Sequence, residues 1–203
     1  AVSKYPWFEG RQGKAFEKWG VYSDQEDDFL FSRDHLPESW KSPPQQPSTD
    51  YRTLEAEIME WADDVAYAIH DLEDFYKAGL IPLDKLKVSD RERQQFVDAR
   101  IKTDDMAKRH TGAFADIAET LLKRNSPFLD AFSGGYAARA YLQRFSSGRI
   151  GAYITEPQLV EATNHRRWNL DIGLNARLEV SILKGLLWYY VIDSPSLVST
   201  RIG

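Results

Sequence analysis

The chain has 203 residues, enough for one domain with its own core or for a sizeable part of a larger one, and 42% of it is hydrophobic against 28% charged. Its net charge of −5, from 26 basic and 31 acidic residues, argues against a protein that coats nucleic acid. With no cysteine it can form no disulfide, thiolate metal site or Cys nucleophile, so any metal must be held by His, Asp or Glu.

The first fifty residues are irregular and rich in aromatics (Tyr5, Trp7, Phe8, Trp19, Tyr22), and they end in the proline-rich connector SPPQQPSTD at 42–50. They read as a loop-rich arm with one short helix near Glu26 to Arg33, ahead of a helical portion over 51–203. The strongest helix runs from about Thr53 to Lys77, with Asp50 or Thr53 as its cap and Gly79 at its C-terminal stop. Ser89 with Glu92 forms a capping-box pattern that opens a helix to about Ile101. A third helix is expected from about Thr103 to Arg124, stopped by Asn125-Ser126-Pro127. The paired acids Asp27-Asp28 and Asp104-Asp105 suit helix starts or solvated positions. After the turn at Gly134-Gly135 a further helix covers about Tyr136 to Phe145, with room to continue past Gly148.

The period then changes. Residues 157–163 and 166–172 are short and partly alternating, with Asn164-His165 between them, and predict a small β-hairpin. A final helix over 176–192 ends at Asp193-Ser194-Pro195, and its GLLWYYVI segment reads as buried. No apolar run approaches the roughly 18 residues of a membrane span, and no secretion signal is visible, so the default location is cytoplasmic. The expected fold is mainly α with one minor hairpin.

The stretch WADDVAYAIHDLED at 61–74 concentrates the chemistry. At about 100° per residue, Leu54, Ile58, Trp61, Val65, Ile69, Leu72 and Tyr76 fall on one side of the helix, while Asp63, Tyr67, His70, Asp71 and Asp74 share the other. Asp63, Tyr67 and Asp71 stand at i, i+4 and i+8, a nearly straight stripe. One reading is an ordinary amphipathic helix with a solvated acidic face. The other starts from the crowding of like charges with no basic residue in the stripe, and from a tyrosine among them, which suits a site for a metal and a sugar hydroxyl. His70-Asp71 alone is a weak metal signal, because adjacent helical side chains diverge by about 100°.

The segment RTLEAEIMEWADDVAYAIHDLED resembles a signature of the deoxyguanosinetriphosphate triphosphohydrolase family, within the HD-domain phosphohydrolases, and D-x-x-x-Y-x-x-x-D is its most specific part. AVSKYPW, EKWGVYSDQEDDFLF and LEVSILKGLLWYYVI resemble the family in the same order. The resemblance implies part of an HD-domain-like helical bundle. It implies hydrolysis of dGTP or another deoxynucleoside triphosphate to deoxynucleoside and tripolyphosphate, dependent on a divalent metal such as Mn or Mg. It places Asp63 as a metal ligand, Tyr67 along the deoxyribose and Asp71 as acceptor from the sugar 3′-hydroxyl, and it makes the His70-Asp71 letters accidental. The family's other ligands, a first His and a His-Asp pair, are expected ahead of residue 1, since His35, His110 and His165 are each followed by something other than Asp. This chain is thus expected to be a C-terminal portion with an incomplete metal site. Arg100, Lys102, Lys108, Arg109 and Lys184 are the candidate phosphate cations, each with plain surface solvation as its alternative. The resemblance also implies homo-oligomers. The competing reading is a non-catalytic helical module of the same descent that binds nucleotide or mediates assembly.

Overall fold

The computed structural model describes residues 5–9, 19–42, 52–162 and 168–193. These residues are mainly α-helical, with one two-stranded antiparallel sheet, as the sequence predicts. They divide into two compact units, one holding residues 1–62 and 158–171, the other 63–157 and 172–203.

In the first unit Phe8 bridges Val21 in parallel, and Trp7 and Val21 are buried. Helix α1, Glu26–Ser32, begins with Glu26, Asp27 and Asp28, acids that complement the positive N-terminal end of a helix. The ring of Phe29 meets Phe8 edge-on at 5.6 Å and carries the Arg33 guanidinium 4.9 Å from its centre. Arg33 also donates to the Trp40 carbonyl at 3.0 Å, within the short helix α2, Glu38–Lys41. The hairpin strands β1 (Gln158–Glu161) and β2 (Trp168–Asp171) pair from Gln158↔Asp171 to Glu161↔Trp168. The Asn164-His165 turn expected between them lies outside the described residues.

Helix α3, Leu54–Lys77, starts in the first unit and continues into the second. Its cap is Thr53, whose hydroxyl accepts from the Ala56 N–H at 3.2 Å. It stops where Gly79 adopts φ +72°: the N–H groups of Gly79 and Leu80 turn back to the carbonyls of Tyr76 and Phe75, which satisfies carbonyls the last turn would leave open.

The second unit continues with α4 (Leu83–Val88), α5 (Asp90–Thr103), α6 (Asp105–Arg109), α7 (Thr111–Glu119), α8 (Tyr136–Thr155) and α9 (Leu174–Leu187). Its core gathers Phe96, Phe114, Ala118, Leu121, Leu178, Ile182, Leu183 and Leu186. The single helix expected over 103–124 is instead two helices and a π turn at Thr120–Arg124. The break falls at His110, whose φ of −126° and ψ of 41° leave the helical region, while the Asp104 carboxylate accepts from the N–H groups of Met106 and Ala107 at 2.8 and 3.0 Å and caps the first of the two helices. Helix α8 does run past Gly148, as far as Thr155. The GLLWYYVI segment is buried only in part. Helix α9 ends at Leu187, and the π turn Trp188–Ile192 that follows leaves Trp188 46% exposed.

Candidate functional site

The apolar side of α3 is buried along Val65, Ala68, Ile69, Leu72 and Tyr76. Tyr76 stacks against Phe128 and Phe132 at 4.8 and 5.7 Å and donates its hydroxyl to the Asp130 carbonyl at 3.0 Å. With burial as the first cause, its phenol is held above the ordinary value. The expected apolar stripe does not hold in the first turns, where Ile58 is 46% exposed while Leu54 and Trp61 are half-buried.

On the opposite side Asp63, Tyr67 and His70 are exposed and Asp71 is half-buried. A tyrosine 58% exposed between two carboxylates leaves its ring face and hydroxyl open to a ligand. Among the described residues, Tyr67, His70 and Asp71 enter no side-chain hydrogen bond or ion pair. Asp74 is different, since it lies 3.5 Å from Lys77. Asp63, Tyr67 and Asp71 share one helix face at successive turns, about 6 Å apart at Cβ.

The same helix turns a second carboxylate toward α9. Lys184 Nζ donates to Asp64 Oδ1 at 2.8 Å, with both side chains 40% exposed. This pair ties the acidic helix to the last one beside Asp63. The sequence suggested Lys184 as a phosphate cation or a solvated surface residue; the structure pairs it with Asp64 instead.

No family model matches the chain. It is 29% identical over 203 residues to a deoxyguanosinetriphosphate triphosphohydrolase-like protein of Streptomyces coelicolor, covering 95% of this chain and 45% of that protein. The like-named proteins of Corynebacterium glutamicum and Bifidobacterium longum are 27% and 26% identical over 96% and 94% of this chain. This chain is related to the deoxyguanosinetriphosphate triphosphohydrolase-like proteins. It spans less than half the length of these triphosphohydrolase-like relatives.

Against the relatives' name, the described part of the chain gives an uneven set of groups. Among the described residues no group of three or more His, Asp or Glu is placed to hold a metal. Asp63 alone offers one carboxylate, and one carboxylate does not hold a divalent ion against water, so the described residues do not by themselves make a metal site. The candidate phosphate cations are dispersed and mostly engaged. Arg100, 11% exposed, binds Asp104 at 2.8 Å; Lys108 lies 3.4 Å from Asp105; Arg109 donates to the Asp105 carbonyl. Lys102 is exposed and has no ion pair among the described residues. His110 sits at the junction of α6 and α7, where its carbonyl accepts from Phe114, a structural position.

Proposed function

We propose that this chain is the sugar-holding portion of a deoxynucleoside triphosphate triphosphohydrolase that releases deoxynucleoside and tripolyphosphate from dGTP or a related nucleotide. The observation that carries the reading is the face of α3 shared by Asp63, Tyr67 and Asp71, where Tyr67 is 58% exposed, joined to similarity along 95% of the chain. In this reading Asp71 accepts from the sugar 3′-hydroxyl, and the exposed ring of Tyr67 packs along the deoxyribose, where a 2′-hydroxyl would crowd it. Asp63 would lend a carboxylate to a divalent metal whose remaining ligands the described residues do not supply. The whole enzyme is cytoplasmic and a homo-oligomer. Supporting assembly are the exposed Phe31, Val88, Leu129, Tyr136 and Ile154, each at least 67% open to solvent. Nucleic acid and membrane are not its partners in this reading, and no helix among the described residues is long and apolar enough to cross a bilayer.

The test is tripolyphosphate release from dGTP with Mn²⁺, by this chain and by a protein extended to the length of its relatives. The longer protein is expected to be active and to lose activity in Asp63→Ala, while Asp71→Ala raises KM for dGTP. An active longer protein indifferent to Asp63→Ala, Tyr67→Phe and Asp71→Ala would overturn the assignment. Nucleotide binding with no turnover in the longer protein would favour the second reading, a non-catalytic nucleotide-binding or oligomerisation module.

A further inference from the structure

A cavity of about 430 Å³ opens in the second unit between α5 and the π turn after α9, well within the size range of small-ligand sites. Glu92, Arg100, Thr103, Tyr189, Tyr190 and Asp193 line it. The π turn brings two consecutive tyrosines to the same cavity. Such turns recur at functional sites, and here the two rings stand perpendicular with centres 4.8 Å apart. Phe96 braces Tyr189 from behind, edge-on at 5.7 Å.

The charges decide what the cavity takes. Arg100 is already neutralised: its Nη2 lies 2.8 Å from Asp104 Oδ2, and Ser181 donates to the same oxygen at 3.1 Å. Its stem is locked against α9, where a Cβ on Gly185 would lie 2.8 Å from Nε. Glu92 accepts from the Tyr190 hydroxyl at 2.6 Å and has no cationic partner among the described residues. Asp193 uses its backbone N–H to close the π turn on Trp188, and its carboxylate likewise has no ion pair among the described residues. Two uncompensated carboxylates repel a phosphate, whereas two aromatic faces at right angles beside carboxylates recognise an ammonium group.

We infer that this cavity is a binding site for a small aliphatic ammonium cation, held by the faces of Tyr189 and Tyr190 and by the carboxylates of Glu92 and Asp193. It owes nothing to the α3 reading and stands or falls separately. The site has room for a short diamine whose ammonium groups reach the two carboxylates.

The experiment is a calorimetric titration of the full 203-residue chain with putrescine and with tetramethylammonium chloride at constant ionic strength, alongside tyrosine fluorescence. Saturable one-to-one binding with a change in tyrosine emission is expected. Glu92→Gln and Tyr189→Leu are each expected to weaken it about ten-fold, and Asp193→Asn about three-fold. Because Asp193 is exposed, Asp193→Asn reports even where a change at Glu92 or Tyr189 disturbs folding. Tyr67→Phe, on α3, leaves binding unchanged. Absence of saturable binding at millimolar probe, equal affinity in Glu92→Gln and Asp193→Asn, or displacement of the probe by tripolyphosphate bound in the cavity would each overturn the proposal.

Discussion

Two charged regions of the second unit are built in opposite ways. Around Arg93 and Asp104 the charges are answered. Buried Arg93 donates to Glu119 at 2.9 Å, to Asp90 and to the carbonyls of Leu86 and Lys87, while Lys123 reaches both acids at 3.0 Å. Asp104 answers Arg100, Ser181 and two backbone N–H groups. Along the outer face of α3, Tyr67 and Asp71 are answered by nothing among the described residues. Completed networks fix a fold, because a buried polar group left without its partner costs far more than the pair contributes. Groups left without partners, as Tyr67 and Asp71 are among the described residues, are available to meet a ligand.

Breaking the completed side has the largest expected effect. Arg93→Met takes the donor from the Leu86 and Lys87 carbonyls, leaves Glu119 with Lys123 alone, and is expected to lower unfolding free energy by about 3–5 kcal/mol in urea titration. Asp104→Ala removes a helix cap and the Arg100 partner together, and a loss of about 2–3 kcal/mol is expected by the same measurement. Acid should act on the same groups. Burial works against ionisation of Asp104, but hydrogen bonds from Ala107, Arg100 and Ser181 outweigh it and hold the carboxyl below the ordinary 3.8. Lys123, through its hydrogen bonds, holds Asp90 and Glu119 below the ordinary 3.8 and 4.5. These groups bind protons more weakly folded than unfolded. Their stabilisation is therefore complete above the ordinary values and is lost as pH falls through the lower folded ones. Unfolding free energy measured from pH 6 downward should drop steeply below about pH 4 in the parent, and less so in Asp104→Ala.

Smaller effects sharpen the contrast from the other side. A double-mutant cycle on Lys184→Ala and Asp64→Ala should yield a coupling of about 0.2–1 kcal/mol, since both groups are 40% exposed and water screens the pair. At the open face, Tyr67→Phe and Asp71→Ala should change stability by less than about 0.5 kcal/mol. A loss of several kcal/mol at Asp71 would show that the open row serves the fold after all, and the comparison would fail.

Wherever neighbours in sequence set the outcome, the sequence was enough. Ser89 caps α5 by accepting from the Glu92 N–H at 3.2 Å, Gly79 ends α3 at positive φ, and the acidic stripe of α3 lies on the side its spacing predicts. Asp104, marked as a helix start, does cap α6, whereas the break at His110 within 103–124 was not read. The short helices α2 and α4 escaped because four and six residues carry too little periodicity to read.

What only the tertiary structure decided is which charges meet. Asp64 and Asp71 are alike in sequence, yet Asp64 faces Lys184, 120 residues away, and Asp71 faces no cation among the described residues. The cavity beside Arg100 likewise exists because Tyr190 finds Glu92 across 98 residues and Gly185 leaves room for a guanidinium stem. Capping and helical periodicity act over one or two turns and can be read from neighbouring letters. Pairing and desolvation depend on distances between helices, which are settled by how their apolar faces pack.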